Sequence, residues 1–209
     1  MHRGITLGLS LFTCLTIAGC AGGASQNEIT GPAVPSSSLQ TLVDMTTGLD
    51  VTTGGTGTWN WAGQSFVVPG SGSFGGLRFQ WYTFKKEPAA FGNLYLLTQE
   101  YLGVPGNLGP STPGFVARSE SVTDSVYVFD SQVVITGGTK YWVYTDRQGS
   151  FAGSFDTDIY PGGDLYATGY HSNPFRKVPA SGRMVNGAYV PPPAGVFLDA
   201  NFKLQAQAR

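Results

Sequence analysis

Three carboxylates, Asp156, Asp158 and Asp164, fall within nine residues of one another, beside the glycine pair Gly162-Gly163. Hard oxygen ligands on a bendable loop suit Ca2+, so a structural calcium is one reading and a solvated acidic turn is the other. The spacing departs from an EF-hand loop, because Pro161 stands where the sharp turn needs glycine. Around and beyond this loop lie Tyr160, Tyr166, Tyr170 and Phe175, with His171 among them. Flat rings stack on pyranose faces while a few polar groups fix orientation, so these five residues are the expected ligand-binding set. They sit in a long segment, Gly149–Pro193, with little strand signal, and loops of that length are usually functional or disordered. Trp59 and Trp61 share one face of their run, as do Trp142 and Tyr144 of theirs. For these rings the alternative is a place in the core.

Catalytic signatures are missing. The chain has no Gly-x-Ser-x-Gly elbow, no His-Glu-x-x-His and no glycine-rich phosphate loop leading into a helix. A Ser–His–Asp site would have to use His171, and a glycosidase would need two carboxylates at a separation that sequence does not reveal. A non-enzymatic binding role is the expectation, with a glycan-active hydrolase as the lesser alternative.

At the N-terminus, His2 and Arg3 precede an uncharged apolar run from Ile5 to Ile17, which ends in Ile17-Ala18-Gly19-Cys20. The run has the length of a signal-peptide core, roughly 7–15 residues, and falls short of the ~20 that span a bilayer. Small residues directly before a cysteine resemble the lipobox of bacterial lipoproteins, in which the thiolate accepts a diacylglyceryl group. An ordinary secretory signal cut elsewhere is the alternative. The resemblance implies that Cys20 becomes the acylated first residue, carrying palmitate-type chains that anchor the protein to a membrane. Residues 1–19 are then the signal peptide. Cys14 and His2 leave with it, and no internal disulfide remains. Residues 20–41 are rich in Gly, Ala, Ser, Thr and Pro and read as a flexible tether. Gly22 rather than Asp follows two places after Cys20, which in a Gram-negative host would favour the outer membrane.

Residues 42–209 have the length of one domain. Only 12% of the chain is charged, about half the usual share, and its formal net charge is −1, which is no electrostatic footprint for nucleic acid. Short apolar runs bounded by Gly and Pro are expected strands: Trp59–Trp61, Gln64–Val68, Leu77–Phe84, Asn93–Tyr101, Phe115–Arg118, Ser125–Phe129, Val133–Thr136, Lys140–Thr145 and, more weakly, Leu165–Gly169. Gly137-Gly138 predicts a hairpin between Val133–Thr136 and Lys140–Thr145. Large residues on both faces of Lys140–Thr145 predict a central strand, covered on one side by the core and on the other by a second layer or a ligand. In the last run Val196, Leu198, Ala200, Phe202 and Leu204 share one face, against Phe197, Asp199, Asn201, Lys203 and Gln205. No apolar stripe at helical spacing persists for three turns. The expectation is an all-β antiparallel sandwich with jelly-roll topology.

Several motifs occur in order: Gln64-Ser-Phe-Val-Val-Pro69, the strand Leu77–Lys86, the Pro105–Pro110 turn, Gly137-Gly-Thr-Lys-Tyr-Trp-Val143, Tyr160-Pro-Gly-Gly163 and the closing strand Gly195–Leu204. Together they resemble the bacterial secreted jelly-roll modules of the choice-of-anchor type, which are similar in shape to carbohydrate-binding modules. The resemblance implies an anchored, extracytoplasmic β-sandwich without a general enzymatic activity. Pro191–Pro193 stands where such modules often carry a Gly- and Trp-rich hairpin. The expected partners are the membrane, through the lipid, and a glycan or other cell-surface polymer. The alternative is a structural envelope protein that meets another protein.

Overall fold

In the strand Gly55–Val67 the side chains of Ala62, Gln64 and Phe66 alternate with Gly63 and Ser65, and all five are buried. A strand covered on both faces must lie inside its sheet, and this one does. The computed structural model describes residues 38–45, 55–82, 92–153, 158–181, 183–192 and 194–209. Cys20, the expected leader and most of the expected tether lie outside these residues, as do Asp156 and the side chain of Trp59. Among the described residues no helix is long and apolar enough to cross a membrane.

The strands in chain order are β1 (Gln40–Asp44), β2 (Gly55–Val67), β3 (Ser73–Trp81), β4 (Leu94–Leu97), β5 (Phe115–Arg118), β6 (Ser121–Thr123), β7 (Val126–Val128) and β8 (Ile135–Thr136). They continue as β9 (Lys140–Thr145), β10 (Gly149–Ala152), β11 (Leu165–Thr168), β12 (Arg176–Lys177), β13 (Arg183–Val185), β14 (Ala188–Val190) and β15 (Phe202–Ala208). One sheet has the order β1-β15-β3-β7-β6, with β8 also on β3; the other runs β12-β11-β2-β9-β4-β5, with β10 also on β2. The pairings are antiparallel. In the two sheets β1, β15, β3 and β7 face β2, β9, β4 and β5, and the other strands extend or flank these eight. That alternation between sheets is the jelly roll.

The core between the sheets is aromatic. Phe79 stacks on Phe202 at 5.2 Å between centroids, and Phe66 from the opposite sheet approaches both at 6.0 and 6.3 Å. Trp81 closes one end with its edge toward Phe79 and Phe151.

The glycine pair corrects one expectation. Gly137-Gly138 does turn the chain tightly, Thr139 N–H donating to Thr136 O at 3.2 Å, but β8 joins β3 while β9 joins β2 in the other sheet. The turn is a corner between sheets, not a hairpin. It rests on the parallel corner that links β2 to β3: Gly137 N–H donates to Gly72 O and Gly138 N–H to Val68 O, both at 2.8 Å. A Cβ on Gly137 would lie 2.7 Å from Gly70 O, so backbone packing as well as turn geometry requires glycine here.

Candidate functional site: a cleft on the outer face of the seven-stranded sheet

β9 lies between β2 and β4, so it is central as its two apolar faces predict. Tyr141 and Val143 point into the inter-sheet core, while Tyr144 faces outward into a second cluster with Leu97, Tyr166 and Phe175. Tyr144 meets Phe175 at 4.9 Å and Tyr166 at 5.5 Å. The layer over them is loop, not ligand. The stretch after β4 brings Tyr101, whose backbone N–H donates to Tyr144 Oη at 3.1 Å, and Gly103 O accepts from Phe175 N–H at 3.0 Å. Gly63 on β2 leaves the space that the Tyr144 ring fills. Desolvation holds the Tyr144 and Tyr166 phenols well above their ordinary pKa; for Tyr166 its hydrogen bond to Glu100 adds to this.

This layer corrects the expected ring surface. Tyr166 and Phe175 are each only 1% exposed, so neither offers a face to a sugar. Tyr166 donates its hydroxyl proton to Glu100 Oε1 at 2.6 Å and accepts from Trp142 Nε1 at 3.2 Å, so the polar end of the ring is satisfied without solvent. Tyr160 is half-buried against Phe202, and its hydroxyl both donates to Val67 O and accepts from Val67 N–H. It pins its own loop to the end of β2. Sequence spacing could not separate these anchored rings from free ones, because both kinds sit in the same loop-rich segment.

The rest of the expected set falls elsewhere. Tyr170 is 70% exposed, and beside it His171 lies 5.6 Å from the half-buried ring of Trp61. His171 and Trp61 help to line a cleft of about 450 Å3, together with Tyr95, Pro105, Gly106, Leu108, Asp146 and Arg147. β2 supplies Trp61, β4 supplies Tyr95, the turn after β9 supplies Asp146 and Arg147, and a 3-10 turn at Pro105–Asn107 forms one wall. Gly106 carries no side chain, and His171 occupies the room so left.

The cleft is held rigidly. Trp61 Nε1 donates to Asp146 O at 3.2 Å, fixing the indole. The Asp146 carboxylate accepts from Asn93 N–H and Asn93 Nδ2, both at 2.8 Å, and from Tyr95 Oη at 3.4 Å. Burial, and next the Asp146 charge, raise the Tyr95 phenol pKa, so this ring is a neutral hydrogen-bonding wall at ordinary pH. Arg147 is exposed and, among the described residues, its guanidinium has no hydrogen-bond or ion-pair partner. Trp61, Tyr95, Asp146 and Arg147 were not in the expected set. The available signal was that Asp146-Arg147 directly follows the central strand.

The two described carboxylates of the acidic loop turn to different partners. Asp164 Oδ2 lies 3.0 Å from Lys177 Nζ and 3.9 Å from Lys140 Nζ, while Asp158 accepts from Tyr160 N–H and faces Asp199. Among the described residues no three His, Cys, Asp or Glu side chains stand close enough to hold a metal; Asp156 is outside them. A second hollow lies on the six-stranded sheet around Arg78, Glu120 and Asp130, but it presents no exposed ring.

No family model, curated protein or solved structure matches the chain.

Proposed function

We propose that the protein is a lipid-anchored, extracytoplasmic binding module of the choice-of-anchor type that holds a glycan or another cell-surface polymer. The cleft is the observation that carries this reading. A fixed indole, a phenol, an imidazole and a guanidinium converge on a concave surface of ligand size, the mixture of flat apolar faces and a few polar groups that sugars require. Tyr170 extends the aromatic surface beyond the cleft. Acylation at Cys20 would hold many copies on one membrane, where multivalency compensates for weak single contacts. The reaction class proposed is none: the module binds and does not turn over.

Affinity electrophoresis against a polysaccharide panel tests this. Tyr170→Ala combined with His171→Ala should weaken retention while leaving the melting temperature unchanged, because both side chains are exposed. If wild type is retained by no polysaccharide, the glycan reading is wrong. Lipid labelling of wild type but not of Cys20→Ser tests the anchor separately.

One observation favours the envelope-assembly alternative. The hairpin β13–β14 stands as its own two-stranded sheet and exposes Val185, Tyr189 and Val190. Cross-linking from this hairpin to a single envelope protein in cells would support that reading.

A further inference from the structure

We infer that the cleft selects an acidic sugar, with a carboxylate on the ring gripped by Arg147 while the ring lies against Trp61. This rests on the glycan reading above and narrows it. The inference comes from counting which polar groups of the cleft are already committed.

Asp146 is the only carboxylate in the lining, and its oxygens already accept from two Asn93 donors and Tyr95. The backbone carbonyl of Asp146 is taken by the Trp61 indole. The acceptor capacity is therefore largely used. The donor capacity is not. Arg147 carries five N–H groups with no partner among the described residues, and His171, its ring 5.6 Å from that of Trp61, adds a ring N–H. A neutral sugar presents hydroxyls that seek donors and acceptors equally. A carboxylate presents acceptors alone, matching what the cleft has left to give.

Geometry points the same way. The Trp61 Nε1 bond to Asp146 O places the indole edge one residue from Arg147, so stacking and ion pairing can act on one ring. The planar guanidinium meets a carboxylate through two parallel hydrogen bonds, which a lysine cannot reproduce. Asp146 offsets part of the cationic field, so recognition should depend on the directed fork more than on net charge.

The test uses the full chain in affinity gels containing polygalacturonate, its methyl ester, hyaluronan, dextran sulfate or a neutral glucan. Retention is expected in at least one uronate polymer and should disappear on esterification. Arg147→Gln should weaken uronate binding about tenfold, and Arg147→Lys should restore only part of it. Both variants should melt with wild type, since the side chain is exposed. Equal retention of polygalacturonate and its ester, or an unaffected Arg147→Gln, overturns the inference. So does dextran sulfate bound as tightly as any uronate, which would mean unspecific attraction. Neutral glucan bound equally by wild type and Arg147→Gln would sink the acidic-sugar inference and leave the glycan reading standing. Retention by no polymer sinks both.

Discussion

The carboxylate of Asp199 is fully buried, accepting from Gln64 Nε2 and from Tyr160 N–H, each at 3.0 Å, and it faces Asp158. Desolvation pushes its pKa up to about 7. In the unfolded chain this proton leaves near pH 4, whereas the folded protein keeps it until about 7. Between those values the folded state binds more protons, so stability should fall as pH rises from about 4 to 7 and then level off. The melting curve of Asp199→Asn should lack that fall, and parallel curves for the two proteins would refute the assignment. Gln64 is the partner that makes the burial tolerable, since its Oε1 also accepts from Ala200 N–H at 2.8 Å. Gln64→Leu keeps the volume but strands these groups, and chemical denaturation should show a loss of about 2–4 kcal/mol.

At the level of elements, the β2–β3 corner and the β8–β9 corner are one unit. Gly137→Ala would push a Cβ into the Gly70 carbonyl, and should cost about 1–3 kcal/mol in a denaturant titration. Gly70→Ala meets nothing within 4 Å, and its cost is limited to the positive φ of 75°, about 1 kcal/mol. Equal effects would mean that the corners do not lean on each other. The strands themselves were legible because burial on alternate positions leaves a period of two, as in β3 and β15. The hairpin at Gly137-Gly138 was misread because turn residues encode a reversal and not which sheet receives the next strand. Conversely, Asn186-Gly187, with φ of 50° and 81°, makes the reversal between β13 and β14, an Asn-Gly signal inside a segment whose apolar pattern gives little sign of strands. Asp199 and Asn201 fall on the polar side of an alternating run, yet both are buried: Asp199 takes the Tyr160 N–H of the 158–164 segment, and the Asn201 backbone bonds to Ala152 and Tyr82. Nothing local in the sequence announces these partners.

For the molecule as a whole, the outer layer on the seven-stranded sheet is as structural as the central core. Tyr166→Ala removes a ring that touches Tyr144 and leaves Glu100 and Trp142 without their shared partner. It should destabilise by about 3–5 kcal/mol, read as a lowered denaturation midpoint. Replacing the β13–β14 tip, Asn186-Gly187, with Gly-Gly should leave the midpoint nearly unchanged, since that hairpin pairs only with itself. A large loss there would show that the hairpin is part of the core. The candidate site was half legible. Of the expected ring set only His171 lines the cleft, while Trp61, Tyr95 and Arg147 arrive from strands and a turn distant in sequence, through pairing that only the topology fixes.

The pairing of the first strand with the last has a mechanical meaning. Gln40 sits opposite Ala206, and Arg209 N–H donates to Ser73 O, so both ends of the domain emerge beside the two corners. The cleft lies at the other pole, where β9 ends and β4 begins. A pull between the N-terminus and a ligand in the cleft runs lengthwise along β1. Ladder hydrogen bonds stand perpendicular to their strands, so those joining β1 to β15 would be loaded together in shear and not peeled one at a time. The Lys203–Asp44 ion pair, 3.0 Å long, and the Met45 N–H bond to Phe202 O lie at the inner end of that strand and would share the same load.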